Sequence, residues 1–180
     1  SADGRFLAQN VAKANPPGSP VVVRDLDEGR EVAVLTNPTN TRPAASLTFS
    51  PDGRMLAIGR DGGAIELWDL DRREIVRTYF GIASSYTVRF LEFSADGSML
   101  VASSQYIGGD LSADRLQWEW ARLRRSDYDP PIETFVFDVR TGRALRRMKT
   151  LEGRPRLSPG GRSLATYGFD GATRIRDVPR

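Results

Sequence analysis

A chain of 180 residues, 39% apolar and 27% charged, is long enough for a substantial core and too apolar for disorder. Its 26 basic and 23 acidic residues are well mixed and leave a net charge of +3, too weak a balance to argue nucleic-acid binding. With no Cys and no His, the sequence excludes disulfides, thiolate and imidazole metal sites, thiol nucleophiles and Ser-His-Asp triads.

The chain opens on a phrase that returns three times. It reads SADGR from Ser1, SPDGR from Ser50, SADGS from Ser94 and SPGGR from Ser158. The copies are 49, 44 and 64 residues apart, and each is followed at once by an apolar run. Self-similarity at this period marks a repeat architecture.

The second copy shows the unit most plainly. Ser46 to Phe49 predicts a strand, Pro51-Asp52-Gly53 a tight turn, and Met55 to Ile58 the next strand. Asp61-Gly62-Gly63 turns the chain into a third strand, Ala64 to Trp68, which ends in Trp68-Asp69. Glu74 to Phe80 is the fourth. In the first copy Val21 to Asp25 and Val32 to Leu35 fill the third and fourth places. Thr134 to Asp138 is the third strand of the third copy, and Thr173 to Asp177 that of the last. Asp25-Leu26-Asp27-Glu28-Gly29 lacks the spaced ligands of a calcium loop and reads as a hairpin turn.

Runs such as Leu7-Ala8, Val21-Val22-Val23, Leu56-Ala57-Ile58 and Met99 to Ala102 suit strands buried on both faces. The fourth strands, with Arg77, Arg146 and Arg147, read as charged outer edges. The expectation is an all-β propeller segment of about four blades of four-stranded antiparallel sheets. Their bounds are about 1–36, 45–80, 88–150 and 155–180. The first unit lacks its opening strand and the last its closing one. An arc of this kind would leave two flanks bare, which predicts a piece of a larger, seven-blade-like ring with more blades upstream.

These residues resemble the WD-repeat (Trp-Asp) propeller family. Trp68-Asp69 carries the full dipeptide, and Asp25, Asp138 and Asp177 repeat its second half. The resemblance implies a structural Asp in the turn between strands two and three, a place matched by Asp61 and Asp170. The family's Gly-His pair is missing, so the hydrogen-bond network built on it must be incomplete or rebuilt. The phrase from Phe49 to Gly53 is also similar to TolB-type propellers, which flank or gate hydrolase domains. Such a domain would lie outside these residues.

By the same resemblance, the loops between strands two and three share one face with those leading into strand one, and this is the usual binding face. Both excess spacings fall there, as insertions at Val11 to Ser19 and at 105–131. The longer insertion holds Tyr106, Trp118, Trp120, Arg122, Arg124, Arg125 and Tyr128, an aromatic and Arg-rich composition suited to a partner-binding patch. Ser112 would cap a helix running to about Arg125, while Leu116, Trp118 and Trp120 also alternate as an extended hairpin would. The tryptophans equally suit packing the insertion back onto the ring.

The function expected is a non-catalytic protein-interaction scaffold with a protein or peptide partner, no cofactor and no metal. Bacterial WD-repeat arrays often accompany kinase or other signalling domains, an association by resemblance, and the setting expected is cytoplasmic. No run approaches 18 consecutive apolar residues, so no membrane-spanning helix is expected.

Overall fold

The computed structural model describes residues 1–11, 19–82, 86–106, 132–150, 155–167 and 172–178. They form four antiparallel sheets in chain order. The first is β1 (Phe6–Asn10), β2 (Val21–Asp25) and β3 (Arg30–Leu35). The second is β4 (Ala44–Phe49), β5 (Met55–Arg60), β6 (Ile65–Asp69) and β7 (Glu74–Tyr79). The third is β8 (Tyr86–Phe93), β9 (Met99–Tyr106), β10 (Ile132–Asp138) and β11 (Ala144–Thr150). The fourth is β12 (Arg156–Leu157), β13 (Ser163–Tyr167) and β14 (Thr173–Asp177). Among the described residues there is no helix, and every strand pairs with its neighbour in sequence.

The recurring phrase has a physical basis. In the second copy the Ser50 hydroxyl donates to Asp52 Oδ1 at 2.6 Å and accepts the Met55 amide at 2.9 Å. Asp52 Oδ1 also accepts the Arg54 amide at 3.1 Å, and Gly53 N–H closes the turn on the Ser50 carbonyl at 2.9 Å. Ser94 and Asp96 repeat the pattern, and Ser1 and Asp3 do so at the first copy. The fourth copy has Gly160 in place of the Asp; the Ser158 hydroxyl still accepts the Ser163 amide at 3.0 Å, and Gly161 N–H still closes the turn on the Ser158 carbonyl at 2.8 Å. One hydroxyl and one carboxylate thus satisfy a turn that would otherwise leave amides unpaired.

The third strands end in Asp for a parallel reason. Asp25 Oδ1 accepts the amides of Asp27 and Glu28, Asp69 Oδ1 that of Arg72, and Asp138 Oδ1 that of Thr141. Each carboxylate caps the hairpin into the fourth strand. Next to this cap every outer hairpin carries a bulge, after Val23, Leu67 and Val136 in turn.

The sheets stack face to face, and each seam has its own apolar cluster. Val21, Val23, Ala33 and Leu35 of the first sheet meet Leu56, Ile58 and Trp68 of the second. Ala57, Ile65, Leu67 and Tyr79 meet Val88, Leu91, Leu100, Phe135 and Phe137 of the third. Val101, Val136 and Met148 meet Leu164 and Val178 of the fourth. The period-2 alternation sends Leu56 and Ile58 to one seam and Ala57 to the other, which is why the middle strands read as unbroken apolar runs. Full burial of each such aliphatic side chain contributes about 1.5–3 kcal/mol.

At Gly59 the second and third sheets approach so closely that a Cβ would lie 2.6 Å from Val88 Cγ1. There Ser46 Oγ donates to the Val88 carbonyl at 2.7 Å.

The end sheets are covered on one face only. Leu7 and Val34 of the first are 44% and 53% exposed, and Tyr167 and Ile175 of the fourth are 60% and 72% exposed. Leu7 therefore departs from the buried role its place in an apolar run suggests: its side of the sheet has no neighbour among the described residues.

Candidate functional site

The array has two ends. The turn phrases and Asp-capped hairpins gather at one. At the other, which we call the rim, the turn from Asp61 to Gly63 meets the start of β8, and the loop from Asn37 to Pro43 leads into β4.

The rim of the second sheet is held by a buried ion pair. Arg60, the last residue of β5, donates from Nε and Nη2 to Glu66 Oε1 and Oε2 of β6, both at 2.9 Å, and neither side chain exceeds 1% exposure. Glu66 Oε1 also accepts Asn37 Nδ2 at 2.7 Å and Asn40 Nδ2 at 3.3 Å, while Oε2 accepts Trp68 Nε1 at 3.0 Å. Arg60 Nη1 donates to the carbonyls of Arg42 at 3.0 Å and Ser19 at 3.3 Å. Two charges taken out of water are tolerated only when their donors and acceptors are this fully satisfied.

The pair does more than fill the sheet. Asn37, Asn40 and Arg42 belong to the loop into β4, and Ser19 closes the first insertion. A guanidinium in the second blade therefore moors the rim loop that leads into it and the base of the insertion in the blade before. The network that lacks histidine is thus built here from Arg, Glu, Asn and the Trp68 indole. The register places Phe135 where Glu66 stands and Ser104 where Arg60 stands, so the third sheet has no such pair.

Asp61 sits just past Arg60. Its Oδ1 accepts the Thr87 hydroxyl at 2.7 Å, and its amide donates to the Pro43 carbonyl at 3.0 Å. Gly62 N–H donates to the Tyr86 carbonyl at 2.9 Å, so this turn joins the second sheet to the first strand of the third. Tyr106 is the last residue of β9, paired in register with Tyr86. Trp118, Trp120, Arg122, Arg124, Arg125, Tyr128 and Asp170 lie outside the described residues, as does the choice between helix and hairpin for the insertion. Among the described residues no group of three or more acidic side chains has metal-binding spacing, and no helix is long and apolar enough to cross a membrane.

Sequence reasoning passed over Arg60 and Glu66. The signal was there: both are charged residues on strands whose neighbours, Ile58, Ile65 and Leu67, are buried on both sides of the sheet. Charges in such runs are bound to pair.

Successive antiparallel sheets of three and four strands, stacked by their faces in chain order, define a β-propeller segment. Residues 29–69, from the first outer hairpin through Trp68-Asp69, match the WD domain, G-beta repeat. The described residues are thus an all-β propeller segment, and 29–69 is the stretch similar to a WD repeat. Among solved structures it is similar to hydrazine synthase of Kuenenia stuttgartiensis, with a TM-score of 0.63 and 22% identity over 91% of this chain and 40% of that one. This chain therefore spans about two fifths of that protein's length, and at such identity the likeness is one of fold alone.

Proposed function

We propose that this chain is a non-catalytic protein-interaction scaffold that holds a protein or peptide partner on its rim. WD repeats generally mediate protein interactions. The observation that carries the reading here is the buried Arg60–Glu66 network, which fixes rim loops rather than any reacting group. A rigid blade with loops moored at one end supports recognition at low conformational cost. The insertion 105–131 brings the anchors: Tyr106, Trp118, Trp120, Arg122, Arg124, Arg125 and Tyr128 are the partner-binding candidates. Further blades of a larger ring, covering the flanks at Leu7, Val34, Tyr167 and Ile175, belong to the same proposal.

The test is capture with the chain as bait and the bound protein identified by mass spectrometry. The triple substitution Arg122→Ala, Arg124→Ala, Arg125→Ala should abolish recovery of that protein, and Arg30→Ala at the opposite end should not. Recovery unchanged by the triple variant would remove the patch from the proposal.

A further inference from the structure

Two turn glycines in this molecule are seats for arginines. A Cβ on Gly142 would lie 2.7 Å from Arg77 Nη1, and a Cβ on Gly62 would lie 2.6 Å from Arg42 Nη1 and 2.7 Å from Arg42 Cδ. Both glycines sit in the left-handed region, at φ +75° and +84°, where other residues are strained. In each case a guanidinium and the end of its stem lie against the backbone of a turn, in space that the Cβ of any other residue would occupy.

The two seated arginines differ in what they hold. Arg77 donates to the carbonyls of Arg140 and Thr141 at 2.8 and 3.0 Å. The Arg42 side chain is exposed on the rim and makes no hydrogen bond or ion pair among the described residues. Its backbone, by contrast, is fixed on both sides. The Arg42 amide donates to Asn40 Oδ1 at 3.3 Å, and its carbonyl accepts Arg60 Nη1 at 3.0 Å. Asn37 and Asn40 are tied in turn to the buried Glu66. An exposed arginine loses rotamer freedom when it binds. Here the root is moored and the stem is seated, so much of that ordering precedes any partner.

The groups beside Arg42 define what it would take. Asp61, one residue before the seat, uses Oδ1 on the Thr87 hydroxyl at 2.7 Å, and its other oxygen accepts nothing among the described residues. The Arg60–Glu66 pair below is neutral as a unit. One cation and one anion at the seat call for no net charge in an occupant. They offer a donor fork beside an acceptor oxygen, the complement of a peptide group with its carbonyl and its N–H. Main-chain carbonyls are also what other guanidiniums of this fold reach between loops. Arg60 takes those of Arg42 and Ser19, Arg77 those of Arg140 and Thr141, and Arg146 that of Asp177.

We infer that Arg42, seated on Gly62, is a main-chain anchor of the rim: it binds carbonyls of an uncharged, extended segment of the partner polypeptide, and Asp61 accepts an amide of the same segment. The inference rests on the rim reading proposed above and adds the chemistry recognised there.

The test pans a phage library of random heptapeptides on the immobilised whole chain, then follows the most enriched peptide, labelled, by fluorescence anisotropy. Arg42→Lys keeps the charge but loses the fork, and should weaken binding about tenfold. Gly62→Ala keeps the arginine but removes its seat, and should weaken binding likewise while the circular dichroism spectrum is unchanged. Replacing the peptide's amides by esters one at a time weakens a carbonyl acceptor and removes an N–H, and should lower affinity at particular positions. The inference is overturned if no peptide is enriched, if Arg42→Lys binds as tightly as the parent, or if the ester series is flat. Arg42→Met and the triple Arg variant of the insertion, each applied to the captured partner, separate the two readings. Loss with the triple variant alone overturns this inference and keeps the patch, and loss with Arg42→Met alone supports it and removes the patch. Loss with both supports both, and loss with neither overturns both.

Discussion

Arg60 and Glu66 face each other across β5 and β6 as a two-point ion pair, Nε to Oε1 and Nη2 to Oε2, closed off from solvent. Removing one partner strands the other charge in the core. Arg60→Met or Glu66→Gln should lower stability by about 3–5 kcal/mol, read as a shift in the urea midpoint. The double replacement Arg60→Met, Glu66→Leu should recover much of that loss, because no orphan charge remains. If the double variant is as unstable as the sum of the singles, the pair is not acting as a unit.

Arg77 and Gly142 form a second coupled pair, one across each side of a seam. Arg77→Ala leaves two solvent-accessible turn carbonyls without their donor and should cost about 1 kcal/mol. Gly142→Ala both strains a residue at φ +75° and crowds the guanidinium, and should cost about 1–2 kcal/mol. A double-mutant cycle by chemical denaturation should give a non-zero coupling, because the alanine methyl no longer meets Arg77 once that side chain is gone.

Arg73→Gly should stabilise the protein. The position sits at φ +57°, where a side chain costs about 1 kcal/mol that glycine does not, and among the described residues the Arg73 guanidinium makes no hydrogen bond or ion pair that would be lost. The measurement is the urea midpoint of Arg73→Gly beside the parent, which should rise. A large drop in midpoint would show instead that Arg73 holds the hairpin together.

The turn phrases also make stability depend on acid. The Ser50 hydroxyl and then the Arg54 amide hold Asp52 below the usual carboxylate range, and the Ser94 hydroxyl and Ser98 amide do the same for Asp96. A carboxylate with a depressed folded-state pKa contributes stability at pH above its unfolded value, and that contribution is lost as pH falls through the folded value. The loss should thus fall on the acid side of the ordinary carboxylate pKa. Carbon-13 NMR titration of the Asp carboxyls should show Asp52 and Asp96 titrating low, and Ser50→Ala should move Asp52 upward while leaving Asp96 in place.

Much of the architecture was legible in the residues because it rests on local chemistry repeated along the chain. The Ser–Asp–Gly turn, the capping Asp and the apolar runs are each satisfied within a few residues or by the adjacent strand. Their recurrence announced four antiparallel sheets. Leu7 shows the limit of that reading, since an apolar residue cannot say whether a neighbour exists to cover it. Arg77 and Arg146 show another: as sequence they were charged outer edges, and in space they are the donors that stitch one sheet to the next.

The sequence by itself determined the repeat unit and its turn chemistry, because those follow from short-range hydrogen bonding and period-2 burial. Only the tertiary structure decided that Arg60 and Glu66 anchor the rim and that Arg77 and Arg146 bridge two of the seams. Those relations depend on which side chains from different repeats arrive at the same point, and that is set by the stacking of sheets rather than by any single repeat.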